Sequence, residues 1–165
     1  MIKKIVFSIL IGLCIYSLGV FAFRTLEPKD INDNATNSPM IDYRTLDEYL
    51  LSSSNGTIHY LFFYSNQNND SIYLKDTVLN SLNQTSSTDI SQLIEIVDVT
   101  SVDEEILYPS LKEKYDMSTY PFFACVHIEN DTIVIDSILP YDINSPLKAN
   151  EIKTWLEENG VYFAS

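Results

Sequence analysis

Sulfur is scarce in this chain and badly placed for pairing. Among 165 residues only Cys14 and Cys125 are cysteines, and Cys14 lies inside an apolar run near the N-terminus. The rest of the chain owns a single thiol, which excludes an internal disulfide there whatever the redox compartment. Positive charge is scarce as well: 10 Lys and Arg stand against 23 Asp and Glu, a net charge of −13. Lys3, Lys4 and Arg24 border the apolar run, so residues 25–165 carry 7 basic groups against all 23 acidic ones, or −16. A surface this acidic repels phosphate backbones and anionic lipid head groups, so nucleic acid is not an expected partner, and the charge reads as solubility near a surface. Metal-ligand spacing is missing too. His59 and His127 stand among apolar neighbours with no Cys or His placed to complete a zinc set, and neither metal nor cofactor is expected.

What the N-terminus does hold is an address. Ile5 to Phe23 runs for 19 residues without a charge, long enough at ~1.5 Å per residue to cross a hydrocarbon core as a helix. Its exit, Val20-Phe21-Ala22-Phe23-Arg24, lacks the small-x-small pattern of a cleavage site. Leu13 stands where a lipidation motif ending at Cys14 would carry a small residue. Lys3 and Lys4 favour a cytoplasmic N-terminus. Residues 1–23 are therefore expected to be a membrane anchor or uncleaved signal, single-pass, with a cleaved signal peptide as the alternative. Residues 24–41, polar and broken by Pro28 and Pro39, read as a flexible tether. Residues 42–165 would be the folded domain, outside the cytoplasm at the cell membrane. Richness in Lys, Ile and Asn suits an AT-rich bacterial genome.

Thr57 to Leu82 organises the folded part. It begins as a strand, Thr57–Tyr64, rich in aromatic and branched residues. A polar break from Ser65 to Ser71 leads into a helix at about 72–83, with Ile72, Leu74 or Tyr73, Val78, Leu79 and Leu82 spaced three and four apart. Before it, Asp42–Ser54 reads as a short helix with a capping box from Thr45 to Glu48, ended by Asn55-Gly56. After it come a strand at Leu93–Val99 and a helix at Val102–Tyr115 with Ile106, Leu107, Leu111 and Tyr115 on one side. Acids Asp103, Glu104 and Glu105 suit that helix's first turn. Phe122–Glu129 and Thr132–Leu139 form a hairpin about Asn130-Asp131. A final helix, Lys148–Asn159, stops at Gly160. A right-handed crossover makes the first two strands a parallel pair, and the hairpin adds an antiparallel edge.

This order, with the strand Leu61-Phe62-Phe63-Tyr64-Ser65 entering a helix and the segment Thr119-Tyr120-Pro121-Phe122-Phe123, resembles the thioredoxin-like family over roughly residues 42–160. The resemblance implies an α/β three-layer sandwich, a mixed sheet of about four strands with helices on both faces, and a cis peptide at Tyr120-Pro121. It also implies where dithiol chemistry would sit. The family's Cys-x-x-Cys falls on Asn68-Asn69-Asp70-Ser71, and its buried acid falls on Phe62. Asn68 offers no nucleophile comparable to a low-pKa thiolate, and Ser71 has no evident base beside it. Family exchange chemistry is thus not carried over, and no catalytic residue is assigned.

What the resemblance leaves is a binding apparatus. Tyr120 occupies the position whose backbone the family offers to an extended chain. The candidate surface is the degenerate turn Asn68, Asn69, Asp70 and Ser71 together with Tyr120 and Pro121. The expected role is to bind or support a protein or peptide partner at the membrane. Two alternatives stand beside it: an enzyme related to thiol-disulfide oxidoreductases that uses Cys125, and a structural subunit of a transport or secretion assembly. Cys125, between Ala124 and Val126 in a strand, is expected to be a buried inert thiol.

Overall fold

The computed structural model describes residues 40–86 and 88–163. The expected anchor Ile5 to Phe23, Cys14 and the tether up to residue 39 lie outside the described residues. In chain order the elements are β1 (Met40–Asp42), a single 3-10 turn (Tyr43–Thr45), α1 (Leu46–Leu51) and β2 (Ile58–Tyr64). Next comes a continuous helix built of α2 (Asn69–Tyr73), a π-helical stretch (Leu74–Leu79) and α3 (Asn80–Thr85). Then follow α4 (Ile90–Leu93), β3 (Ile94–Asp98), α5 (Glu104–Tyr115), β4 (Phe122–Glu129), β5 (Thr132–Pro140) and α6 (Ala149–Glu158).

The sheet runs β1-β3-β2-β4-β5. Its first three strands are parallel, and β4 and β5 join antiparallel. The expected parallel pair and hairpin are both present, with Asn130 and Asp131 at positive φ in the turn. The sheet has five strands where four were expected. The fifth is β1, whose Met40 and Ile41 the sequence reading assigned to the tether. Two apolar residues carry no period of their own; they become a strand by pairing with Ile96 and Val97, and Ile41 is buried.

Side-chain alternation divides the core in two. Tyr60, Phe62, Tyr64, Ile94, Ile96, Phe123 and Cys125 face one layer, which is closed by Leu74, Val78, Leu79 and Leu82 and by Ile152, Trp155 and Leu156 of α6. Leu61, Phe63, Val97, Phe122, Ala124 and Val126 face the other, closed by Leu46 and Leu50 of α1 and Leu107, Leu111 and Tyr115 of α5. Strands buried on both faces read as near-continuous apolar runs, which is why β2, β3 and β4 were legible. Across β2 and β4, Phe62 stacks on Phe123 at 4.6 Å and Phe63 on Phe122 at 4.2 Å between centroids. Each such pair adds about 0.5–1.5 kcal/mol beyond its buried area.

Three local expectations are corrected. Thr45 makes no capping box: its Oγ1 donates to the Asp42 carbonyl, and Asp42 caps the turn by accepting from the Arg44 amide. Ile106 is 66% exposed, because it sits about 100° round the helix from Leu107, which takes the inward position. The helix after β2 begins at Asn69, three residues earlier than periodicity placed it, since Asn68 supplies an N-cap that hydropathy does not register.

Candidate functional site

β2 delivers its chain into the turn with Tyr64, and the turn is tied down on several sides. The Val99 amide donates to the Tyr64 carbonyl, and the Asn66 amide donates to Thr100 Oγ1 at 3.0 Å. The Gln67 amide donates to Ser65 Oγ, and Asn68 Oδ1 accepts from the Ser71 amide at 2.8 Å. Asn68 is therefore the N-cap of α2, relieving one of the unpaired amides that open any helix. Asp70 follows in the first turn, where a negative charge is stabilised. Its Oδ1 accepts a hydrogen bond from the Tyr141 hydroxyl at 2.9 Å. Burial, and then that carboxylate, push the Tyr141 phenol above its ordinary value. Asn69 is exposed, Asn68 and Asp70 are half-buried, and Ser71 is buried. Ser71 Oγ has no hydrogen-bond partner among the described residues.

The other half of the candidate surface comes from the start of β4. Tyr120-Pro121 is cis, as the resemblance implies. Phe63 of β2 pairs with Phe122 of β4, so the chain leaving β2 and the chain entering β4 lie on adjacent strands at one end of the sheet. Phe122 pairs in turn with Pro140, which brings Tyr141 to the same end. Pro121 is buried and Tyr120 half-buried. The Tyr120 ring stacks on Tyr108 of α5, with centroids 6.1 Å apart and planes at 20°. Tyr108 Oη donates to Glu104 Oε1 at 3.2 Å. Burial, followed by that carboxylate, pushes its phenol up to about 12.

Tyr141 and Tyr108 are the members that sequence reading missed. Tyr141 was recoverable in principle, because the hairpin register carries the residue after Pro140 toward Pro121. Tyr108 left a weaker signal: an aromatic lying off the buried stripe of its own helix.

Chemically, this end of the sheet offers amide and hydroxyl hydrogen bonding and the carboxylates of Asp70 and Glu104. Phe62, at the place of the family's buried acid, is fully buried against Phe123. Cys125 is remote from the turn in register, opposite Tyr60 and Ser137. It is 2% exposed, and burial, then the Asp136 carboxylate, raise its thiol to about 12. Both histidines are partnered. His59 Nδ1 lies 2.9 Å from Glu95 Oε2, and Tyr49 Oη donates to Glu95 Oε1 at 2.6 Å. His127 Nδ1 lies 2.9 Å from both Asp136 oxygens. Among the described residues no group of His, Cys, Asp and Glu is arranged to hold a metal ion. Nor is any helix there long and apolar enough to cross a membrane.

A parallel β1-β3-β2 unit extended by an antiparallel β4-β5 hairpin, with helices on both faces, is a thioredoxin-like α/β fold. Similar solved structures include a crystal structure of Chlamydomonas reinhardtii thioredoxin f2, with 15% identity, a TM-score of 0.48 and coverage of 75% of this chain and 97% of that one. The reduced C-terminal domain of Neisseria meningitidis DsbD is similar at 20% identity and a TM-score of 0.46, over 73% of this chain and 98% of that one. A Thermus thermophilus thioredoxin is similar at 14% identity and a TM-score of 0.44, over 75% and 88%. No family model and no curated protein matches the chain.

Proposed function

We propose that this chain is a membrane-tethered, extracytoplasmic thioredoxin-like domain that works without dithiol chemistry and binds a protein or peptide partner at the end of its sheet. The observation that carries the reading is the state of the corner between β2 and α2. Asn68 is engaged as a helix cap, and Ser71 is buried without a base. The one described cysteine is buried in β4. Around that corner, Asn69, Asp70 and Tyr120 present hydrogen-bonding and aromatic groups to an extended chain. The anchor Ile5 to Phe23 would hold this surface near the outer face of the membrane.

The competing role for Cys125 as a reactive thiol meets two obstacles: the sulfur is buried, and its environment disfavours the thiolate that would attack. Two measurements on the full-length chain in membranes separate these readings. A photo-crosslinking residue placed at Asn69 or Tyr120 should capture a discrete partner, and the same residue at Glu129, on the opposite end of the sheet, should not. Insulin reduction should be absent, and native Cys125 should resist a thiol reagent that labels it fully after denaturation. Equal crosslinking at both ends, or turnover abolished by Cys125→Ser, would reject the proposal.

A further inference from the structure

Charge and ring geometry at the start of α5 define the partner more closely, and this step rests on the binding role proposed above. Tyr108 and Tyr120 come from different elements, yet their rings stack into one half-buried platform. Glu104 touches the platform through the Tyr108 hydroxyl, and Asp103 and Glu105 adjoin Glu104 at the start of α5. None of the three is ion-paired among the described residues. Five of the six described cations are engaged elsewhere: Arg44 with Asp42, Lys112 with Asp116, Lys114 with Asp47, Lys153 with Glu157, and Lys75 over the Tyr64 ring. The sixth, Lys148, is the N-cap residue of α6. The described residues as a whole hold 20 acids and 6 bases, a net charge of −14. A face made of electron-rich rings and unneutralised carboxylates is complementary to a cation that can lie flat.

We infer that the Tyr108–Tyr120 platform is the docking place for an arginine of an extended, basic segment of the partner protein. A guanidinium can stack on the tyrosine faces while its N–H fork reaches the carboxylate of Glu104. Arginine suits the site better than lysine, because the ammonium is a compact, strongly hydrated point charge that does not stack.

The test measures binding of labelled dodecapeptides by fluorescence anisotropy. The protein is full length, in nanodiscs of zwitterionic phosphatidylcholine. Three probes alternate Val with Arg, Ser or Glu. The Arg peptide should bind tightest, and Tyr108→Ala or Tyr120→Ala should each weaken it about five- to tenfold. Tyr108→Phe, which keeps the ring and guards against misfolding of the alanine variant, should bind within about twofold of the parent. Glu104→Gln should weaken the Arg peptide, whereas Glu129→Gln, an equal loss of charge on a distant hairpin, should not. Equal affinity for the Arg and Ser peptides, lost in Tyr120→Ala, would overturn the arginine assignment and leave the binding role standing. Equal losses from Glu104→Gln and Glu129→Gln, with none from Tyr108→Ala, would reduce the effect to bulk acidity and overturn it. No binding by any peptide would overturn both this inference and the binding role.

Discussion

Asn68 shows how much one side chain can decide. Its amide oxygen accepts from the Ser71 amide and fixes where the helix begins. Asn68→Ala should destabilise the domain by about 1 kcal/mol, measured by urea unfolding, because one buried amide of the first turn loses its partner. Asn68→Asp should preserve stability, since a carboxylate caps as well and adds a favourable charge at the helix start. A partner-binding change in Asn68→Asp without a stability change would therefore report on the surface and not on the fold. Cap residues are invisible to hydropathy, which is why the expected helix started late while the expected site residue itself was well placed.

At the scale of elements, β5 carries a hidden irregularity. Cys125 pairs with Ser137 and Val126 with Ile135, so Asp136 is an extra residue outside the ladder. The bulge resets which side chains face which layer. Ile133, Ile135 and Ile138 all pack against the same core, a spacing of three that a regular strand does not permit. Asp136→Ala should leave this arrangement intact and cost under about 1 kcal/mol, as a surface change does. Deleting Asp136 should regularise the ladder, with Ser137 still opposite Cys125 and Ile135 still opposite Val126. Ile133 and Ile135 then keep their face, and the loss in equilibrium unfolding should stay below about 2 kcal/mol.

Legibility of the fold followed the same physics. Runs such as Leu61 to Tyr64 and Phe122 to Val126, buried on both sides, announced central strands. Met40 and Ile41 were too short to announce anything, and became a strand only because Ile96 and Val97 offered free backbone groups. The π-helical stretch disguised itself among inward leucines, with Leu74 and Leu79 five residues apart rather than three or four. At the candidate site, Asn68–Ser71 and Tyr120-Pro121 could be named from the chain. Tyr141 could be brought to that end of the sheet only through the hairpin register, and its bond to Asp70, across 71 residues, left no local signal.

The whole molecule carries a pH dependence on the alkaline side. Tyr49, Tyr108 and Cys125 are each raised to about 12, chiefly by burial, and Tyr115 is raised further. These groups keep their protons in the folded state at pH values where the unfolded chain, with ordinary values of 10.0 for tyrosine and 9.0 for cysteine, has lost them. The folded state then binds more protons, so stability must fall as pH rises. The contribution is intact below about pH 9 and declines from there toward about pH 12. Urea midpoints measured from about pH 8 to about pH 11 should fall steadily, and titration of tyrosine absorbance should show a late-ionising fraction that disappears on denaturation. A midpoint flat across that range would contradict the burial that raises these groups.

Trp155 is the only indole in the chain. It lies in one of the two cores, edge-on to Tyr60, with Nε1 donating to Ser137 Oγ at 2.9 Å. Ser137 in turn bonds Asn159 at 2.8 Å. Intrinsic emission is consequently a one-sided gauge: it follows the seating of α6 and is blind to the layer beneath α1 and α5. A ligand settling beside Tyr108 would leave that signal dark, and a silent fluorescence titration of this molecule is no proof that nothing has bound.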